Sequence, residues 1–81
     1  MTLNILVRSP DPAIANAANL TVNAMSSFKA GEISASEYAE LMANILDLNT
    51  VVQLTNDMKR QNEIAIAFNQ LKDIAGLLFS L

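Results

Sequence analysis

Histidine is absent from the 81 residues. That removes the side chain most used as general acid, general base or metal ligand near neutral pH. The serines Ser26, Ser27, Ser34, Ser36 and Ser80 therefore have no imidazole to activate them, and a lysine base from Lys29, Lys59 or Lys72 is the one formal substitute. Cysteine is absent too, so the chain can build neither a zinc-thiolate centre nor a disulfide. Glu37 and Glu40 share a helical face, but di-metal bundles pair glutamate with histidine at that spacing. Here they read as one capping and one solvated carboxylate. Gly31 and Gly76 stand too far apart to cradle a phosphate. No enzyme activity, metal or cofactor is expected, and the property left to look for is association.

Five basic against eight acidic residues give a net charge of −3. Duplex nucleic acid calls for a clustered basic face; here only Lys59 and Arg60 adjoin, flanked by Asp57 and Glu63, so no nucleic-acid partner is expected. The N-terminal apolar run is too short for a secretion signal and has no basic region before it. The apolar tail from Ile64 to Leu81 is interrupted by Asn69, Gln70, Lys72 and Asp73, which argues against a membrane span.

The elements that would position an association surface begin with residues 2–8. There Leu3, Ile5 and Val7 alternate with Asn4, Leu6 and Arg8, an extended pattern ended by Ser9-Pro10-Asp11-Pro12. A lone strand leaves its backbone groups unpaired, so this arm (residues 1–11) must add to another chain's edge, lie along helices or stay mobile. Asp11-Pro12 starts a helix over 12–30 that places Ile14, Ala18, Thr21, Met25 and Phe28 on one stripe and Asn16, Asn19 and Asn23 opposite. Gly31 ends it, and Ser34-Ala-Ser-Glu37 is a capping box, so residues 31–34 form a tight turn between antiparallel helices.

From Ala35 to Phe79 there is no proline. The second helix is thus read as one rod over 35–79, about 65–70 Å long at 1.5 Å per residue. Asp47-Leu-Asn-Thr50 is its weak point. Thr50 with Gln53 forms a second potential capping box, and a break at 47–50 would instead yield three helices over 12–30, 35–48 and 51–79. The first half carries Tyr38, Leu41, Met42, Ile45, Leu48 and Val52 on one face. The tail carries Ile64, Phe68, Leu71, Ala75 and Leu78 in heptad-like spacing, and a second set, Ile66, Ile74, Leu77 and Leu81, around another side. A hairpin partner of 19 residues cannot reach past about Val52, so burying both sets calls for further chains. Folding back across a break near Asn49 would cover one of them. The fold class expected is all-α, a single-domain helical hairpin with a long C-terminal helix and an extended arm, oligomeric.

Size points the same way. A chain this short buries only about 60–65% of the surface it exposes when unfolded. Although 52% of the residues are hydrophobic, many are alanine, and the aromatics are Phe28, Tyr38, Phe68 and Phe79. Met25, Met42 and Met58, with Met1, read as core filler. Asparagines form either an uncharged solvated face or, where Asn49 and Asn56 and then Asn62 and Asn69 recur every seven residues, register-setting pairs at an interface; burial discriminates.

The stretch Phe28-Lys-Ala-Gly-Glu-Ile-Ser-Ala-Ser-Glu-Tyr-Ala-Glu-Leu41 resembles a helical-hairpin pattern of small bacterial proteins and of small virion or assembly proteins of tailed bacteriophages. Type III secretion needle subunits are similar in length and in being helical hairpins. The chain departs from them in lacking a proline in its turn and in turning near residue 31. The phage resemblance implies a virion component. The expected function is a structural subunit that packs with copies of itself or other structural proteins, in a virion if of phage origin and otherwise in the cytoplasm. Its interface residues would be Leu3, Ile5 and Val7 of the arm and Ile64, Ile66, Phe68, Leu71, Ile74, Leu77 and Leu78 of the tail. The alternative is a small helical adaptor, inhibitor or assembly chaperone whose C-terminal helix docks in one partner's groove.

Overall fold

Asp11 and Pro12 open the longest uncharged stretch of the chain, and the helix they start is set by local chemistry. In the computed structural model, which describes residues 2–80, the Asp11 carboxylate accepts the Ala13 N–H at 3.0 Å. Helix α2 then runs over Pro12–Lys29. Its buried residues, Ile14, Ala17, Ala18, Thr21 and Ala24, recur every three or four positions, and the small alanines let neighbouring backbones approach. The Thr21 hydroxyl, fully buried, donates to the Ala17 carbonyl at 2.8 Å.

The turn that ends α2 is the one anticipated. Gly31 takes φ +76°, a left-handed conformation that a Cβ disfavours. Around it the Glu32 N–H bonds the Ser27 carbonyl and the Gly31 N–H bonds the Phe28 carbonyl, a Schellman closure. Helix α3, Ala35–Ile45, follows from a complete capping box: the Ser34 hydroxyl accepts the Glu37 N–H at 3.1 Å, and the Glu37 carboxylate accepts the Ser34 N–H at 2.9 Å. Those Ser34 bonds hold the Glu37 carboxyl below the usual carboxylate range.

Beyond Ile45 the rod stops. Its expected length would exceed the molecule, whose greatest extent is 39 Å. A 3-10 turn over Leu48–Thr50 and a single helical turn, α4 (Val51–Leu54), lead to α5 over Met58–Gly76 and a final 3-10 turn, Leu77–Ser80. The expected weak point is real, but its mechanism differs from the expected Thr50–Gln53 box, since the Thr50 side chain makes no cap. The Asp47 carboxylate accepts the Asn49 N–H, Thr55 is fully extended, and the Asp57 carboxylate accepts the Lys59 and Arg60 N–H groups to start α5. The Gln61 amide donates to the Thr55 carbonyl at 2.7 Å and locks the second bend. Two aspartate caps thus compete successfully with continuing the helix.

The reversal lays α5 beside α2. Arg60 clamps Asp11 with two bonds of 2.8 Å at one end of the molecule. At the other end Phe28, Tyr38 and Phe79 form one aromatic cluster, the first two stacked at 4.5 Å and both within 5.7 Å of Phe79. Helices α2 and α5 therefore run parallel, with α3 antiparallel to both. Tyr38, fully buried, donates its hydroxyl to the Ala75 carbonyl at 2.9 Å. Burial raises its pKa above the ordinary tyrosine value.

At 11 residues against 18, α3 is shorter than α2 by about 10 Å at 1.5 Å per residue. Leu46 and Val51 from the reversal, and Leu6 from the N-terminus, join the core and are buried there. Here the expected extended arm is corrected: Thr2–Val7 is a helix, α1, and no strand occurs among the described residues. A helix pairs its own backbone groups, which a lone strand cannot. It also replaces the alternation of Leu3, Ile5 and Val7 with a face of Leu3, Leu6 and Val7 turned to the core, leaving Ile5 outside. Met1 and Leu81, assigned to core filler and to the second apolar set, lie outside the described residues.

Candidate functional site

The fold divides the expected interface residues into three groups. Ile64, Phe68 and Leu71 are buried within the chain among the core residues of α2 and α3, so they are core and offer no surface to another chain. Folding back, the alternative that the weak point allowed, is what shields them. Leu3, Val7 and Leu78 are partly buried against the same core, and Ile74 is half-buried. Ile5, Ile66 and Leu77 stand in solvent; Ile66 and Leu77 are 59% and 64% exposed. Of the second apolar set, Ile66 and Leu77 are thus the side chains whose surface the bundle leaves available.

Other apolar side chains join that exposed population. Val52 and Leu54 ride on the reversal between α3 and α5, and Met58, 75% exposed, opens α5. Met42 is buried and Met25 packs on the core, as core filler should, whereas Met58 does not. Every asparagine of the chain is exposed. Asn49, Asn56, Asn62 and Asn69 are therefore a solvated face of the protomer, and Asn49 and Asn56 sit in the reversal rather than on a helix seam.

Three of the open hollows on the described surface bear on association. One of about 460 Å³ lies where the end of α3 meets α5, lined by Met42, Leu46, Leu48, Asn49 and Lys72 among others. Lys72 is exposed at its rim. The other two adjoin along α2 and α3 and share Leu41. The first, about 230 Å³, is formed by Leu20, Asn23, Ala24, Ser27, Leu41 and Ile45. The second, about 260 Å³, is formed by Ile33, Glu37, Glu40, Leu41 and Asn44. Together they make a groove with an apolar floor and two carboxylates at one end. Leu41, which the sequence places on one face with Tyr38 and Met42, lines this groove and is exposed. Leu20 falls off the apolar stripe of α2, and that departure is the one sequence signal that could have revealed the groove.

Chemistry-bearing groups do not converge anywhere among the described residues. No cluster there of three or more acidic, histidine or cysteine side chains has the spacing to hold a metal ion, and no buried side-chain nitrogen or oxygen lacks a hydrogen-bond partner. The most structured polar site is the Asp11–Arg60 pair. Arg60 bonding, followed by the Ala13 amide, holds the Asp11 carboxyl below its usual value against the opposing effect of burial. No helix among the described residues is long and apolar enough to cross a membrane. Comparison of the chain with protein-family models, curated proteins and solved structures finds no match.

Proposed function

We propose that the chain is a non-catalytic structural subunit that packs into a multi-copy complex. The observation carrying this reading is the large apolar surface left after the bundle has closed: Ile5, Val52, Met58, Ile66 and Leu77 each show more than half of their area to solvent. Burying a side chain of this kind is worth about 1.5–3 kcal/mol, so covering five contributes on the order of 10 kcal/mol. That is comparable to the whole stability of a domain this small. The resemblance of residues 28–41 to small virion proteins of tailed phages supports a particle component as the setting.

Light scattering after size exclusion, run at micromolar concentration, tests the reading. A mass several times that of the protomer is expected. A folded, monodisperse monomer refutes it. A second reading, an adaptor or assembly chaperone docking one partner protein, is favoured by the apolar lining of the α2–α3 groove. Recovery of the chain in a stoichiometric complex with one unrelated protein, with no self-association of the purified chain, would select it.

A further inference from the structure

Helix α1 is fastened to the bundle by apolar packing and joined to it through a hinge at one end of the molecule. We infer that two copies exchange this helix: Leu3, Leu6 and Val7 of each copy seat against α2 and α5 of the other. The exchange rests on the multi-copy reading and gives it a twofold unit.

The seat and its occupant are both in the structure. Helix α1 packs against α2 and α5 of its own chain. Leu6 is buried there, and Leu3 and Val7 are partly buried beside it. Among the described residues, residues 3–7 make no side-chain hydrogen bond or ion pair to another element. The α1 of a second copy is the same helix, so it remakes between chains every contact that detachment breaks.

The hinge is Arg8-Ser9-Pro10-Asp11. Ser9 and Asp11 each precede a proline, which biases both towards extended backbone, and Asp11 has ψ 114°. The segment therefore resists joining α1 and α2 into one helix, and swinging open keeps the conformation it favours. Arg60 fixes Asp11 with two bonds of 2.8 Å, so the moving part ends at Pro10. A hinge of this length reaches at most about 13–14 Å. One copy's α1 thus arrives at its partner's seat only where the two α2 N-termini meet, and reciprocal exchange there closes as a twofold pair.

The same end carries uncovered apolar surface. The Asp11–Arg60 clamp puts the start of α5 beside the start of α2, and Met58, the first residue of α5, is exposed there. Leu54, also exposed, precedes the Thr55 bend that Gln61 locks to α5. Covering both on each copy is a gain that the closed monomer lacks, and it tips a balance that α1 by itself leaves even. Arg8, Asp57 and Lys59 are exposed around them, so the meeting ends carry both signs of charge.

Mixed isotope labelling of the wild-type chain decides the matter. Labelled and unlabelled copies are unfolded together in urea and refolded, and isotope-filtered nuclear Overhauser spectra then separate contacts between copies from contacts within one. Contacts from the Leu6 methyls to α2 or α5 should appear between copies, in a species whose mass is an even multiple of 8.8 kDa. Methyl labelling keeps these signals readable in a larger assembly. Met58→Asp, which leaves a favourable acidic residue in the first turn of α5, should raise the concentration for half-association about tenfold or more, with the far-UV circular dichroism unchanged. Multimers whose Leu6 contacts arise only within one copy, or whose association Met58→Asp leaves unchanged, overturn the exchange while leaving the multi-copy reading intact. A wild-type monomer at hundreds of micromolar overturns the reading on which the exchange rests.

Discussion

Replacing Tyr38 tests whether the C-terminal helix folds back onto its own chain, because this side chain joins α2, α3 and α5 at a single point. Its hydroxyl bonds the Ala75 carbonyl at 2.9 Å. Its ring stacks on Phe28 at 4.5 Å and meets Phe79 at 5.3 Å. Tyr38→Phe removes the hydrogen bond alone, at a cost of about 1 kcal/mol, which in a domain of this size lowers the melting temperature by about 4–8 °C. Tyr38→Ala also removes the fully buried ring, at about 3–5 kcal/mol. The domain as a whole holds roughly 4–12 kcal/mol at the usual 0.05–0.15 per residue, so this variant should be largely unfolded or melt tens of degrees lower. Thermal and urea unfolding followed by circular dichroism at 222 nm measure both. A cycle combining Tyr38→Leu with Phe28→Leu should return a coupling of about 0.5–1.5 kcal/mol for the stacked pair. If Tyr38→Phe melts with the wild type and Tyr38→Ala loses less than about 1 kcal/mol, the aromatic cluster is not closed. The straight second helix would then return as the better description.

Other perturbations address the local devices. Gly31→Ala forces a Cβ into the left-handed region at φ +76°, where it meets no neighbour, so the cost is backbone strain of about 1–2 kcal/mol, read as a lower urea midpoint. Asp57→Ala removes the cap that starts α5 and should cost about 1 kcal/mol in the same assay, whereas a continuous helix through that position would be stabilised by the exchange. The Asp11 carboxyl is depressed in the folded chain relative to its ordinary 3.8, so its contribution to stability is complete above that pH and is lost as the pH falls through the lower folded value. Glu37 is shifted in the same direction. The urea midpoint should therefore fall on acidification below about 4, and Asp11→Asn should flatten part of that fall.

Devices that act within a few residues were legible before any coordinates. The Asp11-Pro12 start, the Gly31 turn and the Ser34–Glu37 box appear where they were read, because each is satisfied by neighbours in the chain. The buried stripe of α2 was legible for a related reason: a helix of 18 residues repeats its pattern often enough to fix which side faces inward. Residues 46–57 were only half legible. Thr50 with Gln53 is the potential box that the pattern offers there, but Asp47 and Asp57 are the caps, and an aspartate cap inside an otherwise helical pattern looks like any solvated residue. The candidate surface was legible to the extent that Ile66 and Leu77 formed a second apolar set distinct from Ile64, Phe68 and Leu71. The α2–α3 groove was not, since it exists only once two helices have been placed side by side.

The amino-acid order alone determined that this chain is helical, where the first hairpin turns, and that its tail carries more apolar surface than one short neighbour can cover. Tertiary structure decided the rest: that the tail folds back, that the N-terminal residues coil into α1, and that Ile66 and Leu77 are left outside. Those outcomes depend on contacts between distant residues, such as Asp11 with Arg60, 49 positions apart, and Tyr38 with Ala75, 37 positions apart. The local balance between continuing a helix and capping it amounts to about 1 kcal/mol, while burying Ile64, Phe68 and Leu71 contributes several times that. Packing therefore settles what local preference leaves nearly even.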